Sequence, residues 1–170
     1  LAWFDHWLKG RDTGILAGPP VRYVLPGDGR WYEAESWPPE ATFAELALRA
    51  DGVLDADEGA AGGREFMTLG AGLNRAGPSP IDPPSQLTWT SAPLTEALDV
   101  VGDLELRLTA SATAIDTAWI VTLSDVAADG SSTPVTAGWL RASLREVDDS
   151  ASRPGAPELP CRRAVAIPVG

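Results

Sequence analysis

The chain has 170 residues, 44% of them apolar, a composition that fits one folded domain with an ordinary core and argues against disorder. Its 24 acidic and 13 basic residues give a formal net charge of -11, which disfavours nucleic acid and anionic membrane surfaces as partners. One cysteine, Cys161, excludes an internal disulfide and a zinc site built on several thiolates, and it leaves the cellular compartment undecided.

The first ten residues, LAWFDHWLKG, predict a short helix. Apolar residues recur at the spacing of one helical face, at Leu1, Phe4, Trp7 and Leu8. Gly10 then supplies a typical helix stop. No N-cap residue precedes the helix, and the sequence shows no initiator Met, signal peptide or hydrophobic span. We therefore expect the chain to be a piece of a larger protein.

After a polar connector at 11–20, short strand-like runs alternate with turn residues. The 17 glycines and 15 prolines favour frequent turns and therefore β structure. In the first half, strands are predicted at 21–25, 31–35 and 43–48. The stretches 55–64 and 70–85 are predicted to be long loops, because glycine, proline or acidic residues dominate them.

The second half shows a more regular period of two. Apolar and polar residues alternate along three successive runs, at 104–111, 119–123 and 140–145. Asp129-Gly130 supplies a turn between the second and third runs, and a last strand is predicted at 164–169. Three such runs favour a β meander or half of a jelly roll over a helical domain.

The motifs of hydrolytic and nucleotide-binding sites are missing from the sequence. There is no Gly-x-Ser-x-Gly, no Walker pattern and no Gly-x-Gly-x-x-Gly. The single histidine, His6, follows Asp5, but neighbours on a helix point about 100° apart and do not form a dyad. We expect His6 to be a packed or half-exposed helix residue, and Cys161, which has no nearby histidine, to be inert.

An acidic stretch raises the question of a calcium loop. Four carboxylates fall close together, at Asp51, Asp55, Asp57 and Glu58. Placing Gly59 at the invariant glycine of such a loop puts Glu65 at the bidentate position. The same alignment puts Leu54 and Ala56 where Asp or Asn is required. A solvated acidic loop is therefore the preferred interpretation.

Seven tryptophans are a large aromatic content for this length. Four of them lie in or beside predicted helix or strands and are expected to pack in a core or an interface, namely Trp3, Trp7, Trp119 and Trp139. Trp31, Trp37 and Trp89 lie near turns or loops, so contact with a ligand stays open for these three.

Several motifs resemble those of the CocE/NonD hydrolases, which include cocaine esterases, α-amino acid ester hydrolases and X-Pro dipeptidyl-peptidase relatives. They occur in the same order from about residue 1 to 146. The quoted segments are WFDHWLKG (3–10), DTGI (12–15), PVRY (20–23), SWPP (36–39), WTSAPLTE (89–96), DTAW (116–119) and GWLRA (138–142).

The resemblance implies a three-part parent protein. It comprises an α/β-hydrolase domain with a Ser-Asp-His triad, a helical cap, and a C-terminal jelly-roll β-sandwich of the galactose-binding-like type. Residues 1–10 would be the final helix of the hydrolase domain, 11–20 a connector, and 21–170 the sandwich without its last strands. His6 matches a histidine of the closing helix, so no triad residue carries over. Catalytic, cofactor and metal residues are all expected to be absent here.

The function implied is that of a non-catalytic module of a serine hydrolase acting on ester or amide substrates. The module would brace the catalytic domain of the same protein and border its substrate pocket with its loops, while the chain alone would be inactive. A free carbohydrate-binding jelly roll is the alternative, based on shared architecture. Because missing terminal strands leave sheet edges open, we expect the isolated chain to be marginally stable.

Overall fold

The computed structural model describes residues 1–67, 85–162 and 164–165. Two compact units are present, Leu1–Gly102 and Asp103–Gly170. In the described residues the elements are α1 (Ala2–Lys9), β1 (Val21–Val24), β2 (Trp31–Ala34), β3 (Ala47–Leu48), β4 (Leu54–Asp55), β5 (Ala118–Val126), β6 (Ser132–Arg141) and a 3₁₀ helix at Ala142–Leu144. The described strands form three antiparallel two-stranded sheets, so the chain is mainly β with one α-helix.

The predicted N-terminal helix is confirmed. Gly10 ends it in the left-handed conformation at a φ of 62°, and the Gly10 amide donates to the His6 carbonyl at 3.1 Å. Lys9 Nζ lies 2.6 Å from the Asp5 carboxylate one turn earlier. The apolar side of the helix is more than half exposed at each large residue, namely Trp3, Phe4, Trp7 and Leu8. We call these four residues the α1 face.

The strands predicted at 21–25 and 31–35 are confirmed as β1 and β2, and the two pair as an antiparallel hairpin. Tyr23 and Tyr32 are directly opposite each other in the register, and their rings stack 5.5 Å apart. Asp28 organises the connecting turn, because its carboxylate accepts the Arg30 amide at 2.8 Å and the Tyr32 hydroxyl at 2.5 Å. Trp37 packs edge-on against Tyr23 at 5.8 Å.

The strand predicted at 43–48 is wrong for its first four residues, since β3 contains only Ala47–Leu48. This short strand pairs with β4, and the turn between them passes through Gly52 at a φ of 89°. A parallel bridge joins Val53 to Thr90. The segment 43–46 contains apolar residues typical of a strand, such as Phe43 and Leu46. A strand also requires a partner strand for its backbone hydrogen-bonding groups.

The second unit is built on the β5–β6 hairpin. Its register runs from Ala118↔Arg141 to Val126↔Ser132, with a shift between Leu123 and Ser124, where Ser124 faces Pro134. The predicted Asp129-Gly130 turn is confirmed, with Gly130 at a φ of 83°. The strand expected at 119–123 is confirmed and is longer than predicted.

Two other expectations for this half are corrected. Residues 104–111 form no strand, and Leu104, Leu106 and Leu108 are exposed. Alternation specifies which side of an extended segment is apolar, but it does not specify a pairing partner. The run at 140–145 is strand only to Arg141 and then turns into the 3₁₀ helix. The strand predicted at 164–169 and the loop at 70–85 lie outside the described residues, except for 164–165 and 85.

A polar cluster explains why β6 ends where it does. The Asp116 carboxylate accepts the Ser143 amide at 3.0 Å, the Ser143 hydroxyl at 2.9 Å and a hydrogen bond from Arg141 Nε. We call Asp116, Arg141 and Ser143 the Asp116 clasp. Among described residues the only two buried ones are Ala142 and Ser143, at 4% and 5% exposure. The clasp therefore encloses the best-packed point of its unit.

The charge of Asp116 is favoured by these contacts. Burial on its own raises the pKa of the Asp116 carboxyl, but the hydrogen bonds from Arg141 and Ser143 outweigh it and bring the pKa below 3.8. A carboxyl whose pKa is depressed by folding stabilises the native state above its unfolded pKa. That contribution is lost as the pH falls through the folded pKa.

Asp116→Asn is therefore expected to lower the thermal midpoint of the chain at pH 7 and to reduce the loss of stability between about pH 5 and pH 3. Asn keeps the shape of Asp but cannot carry the charge that Arg141 and Ser143 stabilise. Thermal denaturation across this pH range, followed by tryptophan fluorescence, measures both effects. Asp125→Asn, at an exposed position of β5, is the matched control. Equal midpoints for the two variants at pH 7 would show that the clasp does not stabilise the unit.

Candidate functional site

The histidine that a hydrolytic site would need is engaged in the helix end. His6 Nδ1 donates to the Arg11 carbonyl at 3.1 Å, and the ring meets Trp7 edge-on at 5.0 Å. Asp5 is paired with Lys9 instead of His6. The structure thus places Asp5 and His6 in separate interactions, and neither is oriented as a member of a catalytic dyad.

The other nucleophile candidates also lack an activating base. Cys161 is exposed and unpaired. The Ser143 hydroxyl donates to Asp116, and Ser152 Oγ donates to the Asp148 carbonyl at 2.7 Å. Since an activated serine requires a neighbouring base that takes its proton, these hydroxyls act as structural donors.

We call residues 51–59 the acidic loop. Carboxylates of this loop accept hydrogen bonds from backbone amides of the same loop. Asp51 Oδ1 accepts the Val53 amide at 3.2 Å, and Asp57 Oδ1 accepts the Gly59 amide at 2.9 Å. The hydrogen bond from Arg49 to Asp51, together with the Val53 amide, lowers the pKa of the Asp51 carboxyl. Within the described ranges, no group of three or more potential ligands is arranged to hold a metal ion.

The tryptophans divide into packed and exposed ones. Trp89 is half-buried; its Nε1 donates to the Arg49 carbonyl at 2.8 Å, and the Arg64 guanidinium lies 4.9 Å from its ring centre. Trp31 and Trp139 are 73% and 80% exposed. The expectation of core packing for Trp139 is therefore not met within its unit. Interface packing of this side chain stays a prediction.

A surface cavity of about 340 Å³ lies in the second unit. Its arginines are already paired: Glu105 forms a bidentate pair with Arg107 at 2.7 and 3.0 Å, and Arg153 lies 2.9 Å from Asp103. The Arg107 hydrogen bond lowers the pKa of the Glu105 carboxyl. Asp149 also lines the cavity, and the lining includes no histidine.

Many large apolar side chains are exposed on the described surface. One region is the α1 face. Another is the cross-strand pair of Ile120 and Trp139 on the β5–β6 hairpin, with Ile120 76% exposed. Large apolar side chains grouped in this way mark surfaces for contact with other protein. No helix in the described part of the chain is long and apolar enough to cross a membrane.

The chain is similar to a family of non-catalytic domains and to proteins named as esterases. The family model of the X-Pro dipeptidyl-peptidase C-terminal non-catalytic domain matches residues 13–168. Two proteins named as serine esterases, from Mycobacterium bovis and Mycobacterium tuberculosis, are each 36% identical to the chain over 167 residues, which covers 88% of the chain and 27% of the relative. The cocaine esterase of a Rhodococcus species is 26% identical over 175 residues, covering 85% of the chain and 30% of that enzyme.

The chain thus spans less than a third of the length of these relatives. No solved structure matches it. The matched segment begins at Thr13, directly after α1 and its cap, and continues through both units. These findings confirm the resemblance to the C-terminal part of the CocE/NonD hydrolases. The chain belongs to the family of X-Pro dipeptidyl-peptidase C-terminal non-catalytic domains.

Proposed function

We propose that the chain is the non-catalytic C-terminal β-domain of a serine hydrolase that acts on ester or amide substrates. The observation that carries this proposal is the match of residues 13–168 to a domain family defined as non-catalytic. The structure supports it, because the single histidine is held by Trp7 and Arg11 and has no nucleophile as a partner. The architecture we propose for 21–170 is the jelly-roll sandwich of the galactose-binding-like type.

In this proposal the chemistry takes place in an α/β-hydrolase domain of the same polypeptide. A serine there would attack the carbonyl carbon, a histidine would accept and return the proton, and backbone amides would stabilise the oxyanion. That chemistry needs no metal or cofactor. The β-domain would brace the catalytic domain and place its loops at the border of the substrate pocket.

The α1 face supplies the physical basis for bracing. The helix precedes the matched segment, and its large apolar side chains are more than half exposed in the described structure. We propose that residues 1–10 complete the hydrolase domain and that 11–20 connect it to the β-domain. Covering a large apolar side chain contributes about 1.5–3 kcal/mol when burial is complete, so the α1 face is able to anchor one domain to the other.

A carbohydrate-binding jelly roll is the second candidate, because it requires exposed aromatic rings and Trp31 and Trp139 provide them. Contact with a catalytic domain accounts for the same exposure and also agrees with the names of the relatives. We therefore expect no quenching of the chain's tryptophan fluorescence across a panel of neutral oligosaccharides. Saturable quenching by one of them would support the carbohydrate-binding function instead.

In the longer polypeptide, Phe4→Ala combined with Trp7→Ala is expected to destabilise the catalytic domain by about 3–5 kcal/mol, because both rings would leave a cavity in a packed interface. Thermal unfolding and ester turnover of the purified protein measure the effect. Lys9→Ala, on the exposed side of the same helix, is the control. Unchanged stability and turnover in the double variant would contradict bracing through α1.

Purified residues 1–170 are expected to hydrolyse neither p-nitrophenyl acetate nor an X-Pro p-nitroanilide above the rate of a heat-denatured sample. The longer polypeptide is expected to hydrolyse one of them and to lose this activity on treatment with a serine-directed phosphonate. A Cys161→Ser variant controls for acylation of the exposed thiol. Turnover by residues 1–170 that survives both the phosphonate and the Cys161 substitution would contradict the non-catalytic assignment.

A further inference from the structure

The acidic loop of the first unit lies against an arginine of its own chain. Arg49 directly follows β3, and its Nη2 atom lies 2.8 Å from Asp51 Oδ2. The loop adds three more carboxylates within seven residues, at Asp55, Asp57 and Glu58. The hydrogen bond and charge of Asp51, followed by the charges of Asp57 and Asp55, raise the pKa of the Arg49 guanidinium.

The loop backbone also contacts this guanidinium directly. A Cβ atom placed on Gly59 would lie 2.8 Å from Arg49 Nε, closer than packed atoms are found, and 3.3 Å from Nη2. A Cβ atom on Gly62 would lie 2.8 Å from the Cβ atom of Ala50. After β4 the chain therefore turns back, so that Gly59 lies against the side chain of Arg49 and Gly62 against that of Ala50.

Three hydrogen bonds hold the backbone of Arg49. Its amide donates to the Val53 carbonyl at 3.0 Å, and its carbonyl accepts Trp89 Nε1 at 2.8 Å and the Gly52 amide at 3.0 Å. Arg49 Nε is shielded from solvent and has no hydrogen-bond partner among the described residues. Shielding a guanidinium nitrogen in this way costs free energy, and the surrounding carboxylates offset the cost.

We propose that Arg49 is the internal counter-ion of the acidic loop. Its guanidinium takes the part that a divalent cation plays in a calcium loop, so residues 51–59 are ordered by a tethered positive charge and not by a metal. The order of the loop then depends on ionic strength, because partly exposed ion pairs are screened by salt. Calcium, in contrast, has no position to occupy while Arg49 is in place.

The proposal is tested by amide hydrogen exchange at Asp57 and Gly59, whose amides bond to Asp55 and Asp57 carboxylates. Arg49→Met, which removes the charge and keeps the stem, is expected to speed exchange there by about two- to fivefold. Arg49→Lys, which keeps a charge, is expected to retain most of the protection. Arg22→Met is the control, since Arg22 forms an exposed pair with Glu33 in the β1–β2 hairpin.

A change of salt concentration tests the counter-ion proposal on the unaltered chain. This test applies even if Arg49→Met does not fold. Raising NaCl from about 0.05 to 0.5 M is expected to speed exchange at Asp57 and Gly59 by a similar factor. The Arg30 amide, bonded to the Asp28 carboxylate, serves as the internal reference. Millimolar calcium is expected to leave exchange in the loop unchanged.

Gly59→Ala tests the contact itself. Gly59 and Gly29 both have a φ of 67°, but an added Cβ atom meets Arg49 only at Gly59, since nothing lies within 4 Å of it at Gly29. Both substitutions strain the backbone equally. We expect Gly59→Ala to raise exchange in its own turn more than Gly29→Ala does in the hairpin turn, because it also displaces the guanidinium.

Three results would overturn the proposal. One is equal loop exchange in Arg49→Met and the unaltered chain. Another is equal exchange in Arg49→Lys and Arg49→Met, which would show that the stem and not the charge orders the loop. The third is a slowing of loop exchange by calcium in the unaltered chain, which would make the loop a metal site.

Discussion

The Asp116 carboxylate accepts hydrogen bonds from a backbone amide, a hydroxyl and a guanidinium at the point where β6 ends. Smaller versions of this arrangement recur in both units, with Asp28, Asp57, Asp129 and Asp148 each accepting an amide two residues further on. Few described side chains are deeply buried, so the turns rely on these bonds. Some of the acidic residues therefore have a structural use, because each such carboxylate adds a hydrogen bond to a backbone amide at a turn.

Local patterns allowed correct predictions wherever the decisive contact lies close in the chain. Gly10 ends α1, and the β1–β2 hairpin and the Gly130 turn need only neighbouring residues. Residues 104–111 have an equally clear alternation and form no strand, because pairing depends on a distant partner. The bonds from Arg141 and Ser143 to Asp116 span 25 and 27 residues. No sequence spacing indicates such a contact.

The candidate functional residues also include some whose contacts the sequence does not indicate. The sequence predicts a solvated acidic loop, and the structure leaves Asp55, Asp57 and Glu58 exposed. The sequence does not indicate that Gly59 lies against the Arg49 guanidinium. The sequence has one histidine and no nucleophile motif, and in the structure His6 bonds to the Arg11 carbonyl and contacts Trp7. The proposed bracing role accounts for the exposed α1 face, because the domain family is matched from Thr13 and the large apolar side chains of the helix before it are more than half exposed.

The register shift in the β5–β6 hairpin affects the edge of β6 that a further strand would pair with. Pro134 lies opposite Ser124 at the shift and has no amide proton to donate. A bulge also twists the strand locally, so the outer rim of β6 is divided into two shorter segments. A further strand added along β6 would therefore meet an interrupted hydrogen-bond ladder at the bulge. The bulge and its proline divide a ten-residue strand that has one partner strand in the described part of the chain.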